Sequence, residues 1–284
     1  MNVDLTQILG DWPFEPGKIN VRLITGADGE QRIQIRLDLG ILQMNLDGRP
    51  DGQRPFGYDS LLEYFEAKLD DSQHGPDDHE ESPAEPDEAG PGAAEPDTPE
   101  SQGGAAEAPP PPSADFSLDP DDCRALREEA VQYYHRYVAL LVLEDYERVV
   151  RDTTRNLRVL DLCSKHAQQA DDRAVLEQFR PYIVMMRARA LASQALRDNE
   201  PKAAIHAIDQ GIEALRRHFS DNGQLELFDS ASEVQMLRGM RDALVPKLPV
   251  SQKSELRQRL QRAIEQENYE LAAILRDELR MLKE

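Results

Sequence analysis

Six histidines, two cysteines and a few clusters of tyrosine and arginine are the residues of this chain best suited to chemistry. His74 and His79 stand among Asp77, Asp78, Glu80 and Glu81. That composition can hold a divalent cation loosely, but a solvated acidic run is the preferred reading. His135, His166, His206 and His218 fall in helical patterns with no ligating partner one turn away. Cys123 and Cys163 are 40 residues apart and form no CxxC pair. A structural zinc site needs about four soft ligands, usually in close pairs, so none is expected. Two buried thiols in a reducing compartment are favoured over a disulfide. No GxxxxGK[ST] phosphate loop occurs, and nothing singles out a nucleophile. No catalytic, cofactor-binding or metal-ligating residue is therefore expected, and no cofactor.

Two clusters stay open. Tyr133, Tyr134, Tyr137 and Tyr146 suit helix-core packing first and an aromatic groove for a peptide second. Arg49 and Arg54, beside Phe56 and Tyr58, suit a salt-bridged turn first and a phosphate or carboxylate contact second.

The strongest pattern lies at the C-terminal end and belongs to association rather than catalysis. Leu256, Leu260, Ala263 and Ile264 form an apolar stripe on one predicted helix. Tyr269, Ala272, Ala273, Ile274, Leu275, Leu279 and Leu282 form another. Gln266-Glu267-Asn268 is the expected turn, with Asn268 placed to cap the second helix. Small residues at Ala263, Ala272 and Ala273 allow close approach, and Arg276 and Asp277 put charges beside the seam. Two helices of about four turns cannot cover stripes this wide between themselves, so a second surface is expected to shield them.

This block resembles the UVR motif of the excinuclease subunits UvrB and UvrC, of the McsA regulator and of some ClpC-type unfoldases. The resemblance rests on Leu256, Leu260, Ala263, Ile264, Glu267, Tyr269, Glu270, Ala272, Ala273, Leu275, Arg276, Asp277 and Leu282. Leu279 stands where that family often has Ile. The resemblance implies a helical hairpin that docks onto a like hairpin, and it makes Leu256, Leu260, Ala263, Ile264, Tyr269, Ala272, Ala273, Leu275, Arg276, Asp277, Leu279 and Leu282 the partner-binding residues. It covers about an eighth of the chain. McsA-like zinc fingers need CxxC pairs, which are absent.

These residues must be carried by a mainly α chain of four segments. Residues 1–69 read as a small ββ(β)α unit. Ile19, Val21 and Leu23 alternate with polar residues, as do Ile33, Ile35, Leu37 and Leu39, around an Asp28-Gly29 hairpin signal. The apolar phase then switches from odd to even positions at Gly40, so the second strand is expected to be bent or divided in two. Asp59 or Ser60 is the expected cap of a helix over 61–69. Residues 70–119 read as a disordered, acidic, Pro-rich linker, with a nucleic-acid-mimicking tether as the alternative. Residues 120–248 read as helices, over about 126–141, 149–162, 174–196 (with Pro181 able to start it afresh), 201–219 and 231–244. The third and fourth resemble a degenerate tetratricopeptide (TPR) repeat through Leu191-Ala192 and Ala204, Ile208 and Gly211; an ordinary antiparallel bundle fits as well. Residues 251–284 are the hairpin.

Charge follows the same divisions. The formal net charge is −21, and Asp70–Asp122 holds 17 acidic side chains without one Lys or Arg. Cys123–Val250 is balanced at 19 of each sign, and Ser251–Glu284 at seven of each. That argues against a broad nucleic-acid footprint. No signal-peptide pattern or membrane-length apolar run is visible, so a cytoplasmic location is expected. The expected function is non-catalytic: an adaptor docking through its UVR hairpin onto a partner with a UVR-type hairpin or onto a second copy of itself, with links to nucleotide excision repair or Clp-type proteolysis. The alternative is a DNA-repair accessory touching nucleic acid through Arg257, Arg259, Arg262, Arg276 and Arg280, or through Arg148, Arg151, Arg155 and Arg158.

Overall fold

The structure, a computed structural model, describes residues 4–74, 116–244, 252–266 and 269–281. The stretch read as an acidic linker lies mostly outside the described residues. The chain divides into two compact units. One contains residues 1–16, 22–136 and 158–177, and the other contains 17–21, 137–157 and 178–284.

In the first unit a short helix α1 (Thr6–Asp11) precedes three strands, β1 (Asn20–Thr25), β2 (Gln31–Arg36) and β3 (Ile41–Asn45), in the order β1-β2-β3. Gly29, at φ +83°, turns the chain between β1 and β2. Asp28 holds that turn by accepting from the Glu30 backbone N–H at 3.1 Å and from Arg32 Nη1 at 2.7 Å. The Arg32 guanidinium keeps its carboxyl well below the usual carboxylate range.

The switch of apolar phase at Gly40 is a hairpin. Leu37 and Gly40 exchange backbone hydrogen bonds, and β2 pairs antiparallel with β3 from Arg36↔Ile41 to Arg32↔Asn45. In this register each odd residue of β2 faces an even residue of β3. Ile33 therefore lies opposite Met44, and Ile35 opposite Leu42, with Ile33, Ile35 and Met44 buried. The other face carries a polar ladder, in which Arg22 Nε donates to Gln34 and Gln34 Nε2 to Gln43, each at 2.8 Å. Leu37 and Leu39, expected to continue the apolar face, sit exposed in the turn instead. The buried Arg36 holds that turn by donating to the carbonyls of Leu37, Asp38 and Gly40.

Helix α2 (Leu61–His74) runs about a turn beyond the expected 61–69, so His74 is helical rather than part of the acidic tract. Residues 70–73 of that extra turn are exposed, and Ser72 Oγ donates to the Leu69 carbonyl at 2.7 Å. Ser60 is the cap, accepting from the Glu63 N–H at 3.2 Å.

Helix α3 (Pro120–Val142) ties this region together through one of its faces. Glu129, almost fully buried, accepts from the Leu61 N–H at 2.9 Å and lies 3.3 Å from Arg49 Nε. A carboxylate at the N-terminus of α2 also complements the helix dipole. One helical step on, Gln132 donates to Asp51 at 3.1 Å. Arg136, wholly buried, donates to the carbonyls of Asn45 and Gly48 at 3.1 and 2.7 Å. Its guanidinium lies 4.8 Å from the ring centre of Tyr133. Arg49 also pairs with Asp51, and Arg54 with Asp59. The first reading of these arginines, a salt-bridged turn, is thus the one realised, and Tyr133 and Tyr137 are core residues.

The remaining helices are α4 (Tyr146–His166), α5 (Ala170–Val175), α6 (Arg180–Arg197), α7 (Pro201–Asp221) and α8 (Ser232–Leu244). Pro181 does begin a helix afresh, standing in the first turn of α6. In the second unit α6, α7 and α8 pack together around Ala192, Ala204, Ile208, Leu215 and Leu237. Gly211 is required there by space, because a Cβ on it would come 2.5 Å from the Ala188 Cβ and 3.1 Å from Leu237. This close helix contact suits a TPR pair and a plain bundle alike. The last helices are α9 (Gln252–Glu265) and α10 (Tyr269–Met281).

Removing one partner of a buried ion pair strands the other. Glu129→Leu should lower unfolding stability by about 3–5 kcal/mol, read as a lower urea midpoint. Arg217→Ala, which breaks the exposed Glu213–Arg217 pair, should leave the midpoint unchanged within error.

Candidate docking surface of the C-terminal hairpin

Helices α9 and α10 pack against each other through a small seam. Ala263, Ala272 and Leu275 are buried in it, and Leu260 packs against them partly covered. Two alanines in three buried positions explain the close approach, since neither side chain extends beyond Cβ. Among the described side chains the seam is correspondingly thin.

Other apolar residues with described side chains are exposed. Ile264 on α9 is 48% exposed, and Leu271 and Ile274 on α10 are 43% and 59% exposed. Tyr269 and Ala273 are also exposed. The cause is in the sequence. Leu271-Ala272-Ala273-Ile274-Leu275 is a run of five apolar residues, longer than one 3.6-residue turn. Such a run puts apolar surface on every side of the helix, and one partner helix covers only one side.

Eight of the twelve expected partner-binding positions separate into two groups with different tasks. Ala263, Ala272 and Leu275, with Leu260, hold the hairpin together. Ile264, Tyr269, Ala273 and Arg276 face outward. Leu256, Asp277 and Leu279 lie on α9 and α10, with their side chains outside the described set. Leu282 lies outside the described residues, as do the expected turn residues Glu267 and Asn268. The expectation omitted Leu271 and Ile274 from the binding set, although the unbroken apolar run that contains them was the available signal.

Residues 251–284 match the UvrB/uvrC motif. No curated protein and no solved structure matches the chain. The UVR motif occurs in nucleotide excision repair proteins and adaptors, so the match supports a role in protein–protein interaction at a coarse level. No described helix is long and apolar enough to cross a membrane.

The second arginine set considered for nucleic acid is committed elsewhere. Arg148 pairs with Asp145 at 2.9 Å, Arg151 with Asp152 at 3.0 Å, and Arg158 with Glu66. Arg155 is buried and donates to Asn156 at 3.0 Å. On α9, Arg257, Arg259 and Arg262 are exposed.

Cys123 and Cys163 are wholly buried in the first unit and share a hydrogen bond. Burial raises both thiols, Cys163 to about 12, so the reactive thiolate is disfavoured. Its folded pKa exceeds the ordinary 9.0. The stability it contributes is therefore whole below pH 9 and is lost as pH rises toward 12. Neither thiol should react with a neutral-pH alkylating reagent until the chain is unfolded, which mass spectrometry of native and denatured samples will read.

The division of the hairpin residues has a direct consequence. Leu275→Asp places a carboxylate in the seam and should melt α9 and α10, lowering helical circular dichroism. Ile274→Asp, one residue away but outward, should leave that signal unchanged. Equal losses for both would show that the two residues do not face different surroundings.

Proposed function

We propose that this chain is a non-catalytic adaptor that docks onto another protein through the outward face of its C-terminal hairpin. The observation that carries the reading is the exposure of Ile264, Leu271 and Ile274 on the segment that matches the UvrB/uvrC motif. Fully covering a Leu or Ile is worth about 1.5–3 kcal/mol. Ile264, Leu271 and Ile274 are already about half covered, so completing their burial brings about 2–4 kcal/mol to a complex before the ordering costs of binding are met. The partner proposed is a protein with a UVR-type hairpin of its own, in the cytoplasm, and the processes it would serve are nucleotide excision repair or Clp-type proteolysis.

A second reading is direct contact with nucleic acid through α9. The exposed Arg257, Arg259 and Arg262 favour it. Three basic side chains on a hairpin with seven charges of each sign are a small footprint for phosphate binding.

The two readings separate in one experiment. The full chain and its Ile274→Asp variant are used as bait in extract of the native cell, and both are titrated with duplex DNA at several salt concentrations. A UVR-bearing protein should be retained by the parent chain and lost by the variant, with no salt-dependent DNA binding. Tight, salt-sensitive DNA binding lost on Arg259→Glu would replace the adaptor reading with the second one.

A further inference from the structure

The loop that leads into α2 displays an aromatic ring at a conformational cost. Phe56 is 71% exposed and adopts φ +52°, ψ +22°, the left-handed region that glycine enters freely and a bulky residue rarely does. Its ring stacks on Tyr64 of α2, with the centres 4.3 Å and the planes 22° apart. Tyr58 meets Tyr64 edge to face at 5.6 Å. Lys68, one turn along α2, sets its Nζ 4.5 Å from the centre of the Tyr64 ring, so this cluster already holds a cation against a ring. With Tyr64 on one side and most of its surface open, Phe56 offers its other face to solvent. The display is also rigid. Arg49 is held between Asp51 and the buried Glu129, and Arg136 fixes the Gly48 carbonyl. The Gly57 and Tyr58 N–H groups donate back to the Arg54 and Pro55 carbonyls at 3.2 and 2.9 Å. A strained, largely uncovered ring on a fixed loop is better suited to meeting another molecule than to closing a turn.

From this arrangement we infer that Phe56, Tyr58 and Tyr64 form a second docking surface, which takes an arginine from a basic segment of another protein. The inference does not depend on the hairpin. Charge selects the occupant. Residues 47–73 carry seven carboxylates against three basic side chains, and Asp59 and Glu63 are exposed next to Tyr58 and Tyr64 in the chain. A guanidinium is planar, more weakly hydrated than an ammonium and stacks on ring faces. It can lie flat on the open face of Phe56 while its charge is met by a neighbouring carboxylate. Asp59 is available for that exchange, because its 2.6 Å pair with Arg54 is largely exposed on both sides and weakly held. A single-stranded nucleic acid could stack its bases on the same ring, but would bring phosphates to a surface with a surplus of carboxylates.

The test follows the aromatic resonances of the full chain by NMR during titration with a synthetic Gly/Ser heptapeptide that carries two central arginines. The same peptide with citrulline for arginine keeps the shape and loses the charge. The arginine peptide should shift the Phe56 and Tyr64 rings saturably, and the citrulline peptide should not. Phe56→Gly leaves every charge in place and removes the ring. It should weaken binding at least tenfold. Its urea midpoint should not fall, because glycine adopts this φ without strain. Phe56→Trp, with a larger ring face, should bind at least as tightly as the parent. Ile274→Asp should change nothing here, so this inference and the hairpin reading can fail separately. Equal binding by the parent and Phe56→Gly would overturn the inference, since acidity alone would then hold the peptide. So would a lower midpoint for Phe56→Gly with unchanged binding, which would make the ring a structural one. Phe56-dependent binding of oligothymidylate, or of a peptide with the sequence of residues 108–113 and its four prolines, in place of the arginine peptide would overturn the assignment of the occupant.

Discussion

A two-helix hairpin has a single seam, and over Leu271–Leu275 α10 carries apolar residues on every side. That mismatch is the constraint from which the functional reading follows. The neighbouring bundle shows how the same difficulty is met inside a fold. There α7 is walled by α6 on one side and α8 on another, with Gly211 accepting contact from both Ala188 and Leu237. The apolar residues of α7 that face those walls, Ile208 and Leu215, are wholly buried. Among the described residues the hairpin core, by contrast, holds three buried residues and one partly covered one, all from α9 and α10. A seam built from two alanines and a leucine lets the backbones come close but hides little. What is not hidden is available for association, and it lies on the segment that matches a motif of interacting proteins.

The N-terminal region meets a different constraint with a different device. A lone two-stranded hairpin is marginal in water, and here a third strand and α2 enlarge the apolar face. The region's attachment to α3 is made partly by ions. Glu129 and Arg136 are two turns apart on one helix face, and each closes polar groups of the loop between β3 and α2. Buried charges of this kind are costly to desolvate and gain little over an apolar contact, but they tolerate few alternatives. A slip of one residue in α3 would leave a carboxylate and a guanidinium buried without partners. Here the ions specify where the loop sits, and Ile33, Ile35, Met44, Leu62 and Phe65 supply the burial.

Much of this was legible in the chain itself. Helices α3, α4, α7 and α8 follow the apolar period closely, and Pro181 marks a helix start as its fixed φ predicts. The hairpin at Gly40 was visible as a change of phase but open in meaning. A bulge and a reversal with an odd register sum both switch parity, and only the pairing of Ile33 with Met44 decides between them. The buried ions were not legible, because a Glu and an Arg on a helix read as a solvated face until their loop partners are known. Within the candidate site, the helices and their contact residues were legible from period and small-residue placement. The functional face was not, because periodicity assigns a helix one apolar side, and α10 has more than one. A third helix packed over Ile274 would have produced the same sequence pattern.

The relative size of the forces decides which part of the hairpin does what. Exposed ion pairs are worth about 0–1 kcal/mol each and are screened within about 8 Å at physiological salt. Covering Ile264, Leu271 and Ile274 together is worth more than any one such pair, by the area removed from water. Affinity for a partner therefore depends on the apolar patch, and the arginines of α9 influence which way the partner lies and how fast it arrives. The same comparison explains why the strongly acidic stretch from Asp70 to Asp122 need not oppose docking. Its repulsion is long-ranged but screened, whereas the contact that holds a partner forms only after the last layer of water has left. Acidity of that kind discourages unspecific association of the whole chain, and leaves a short neutral hairpin as the place where association can be specific.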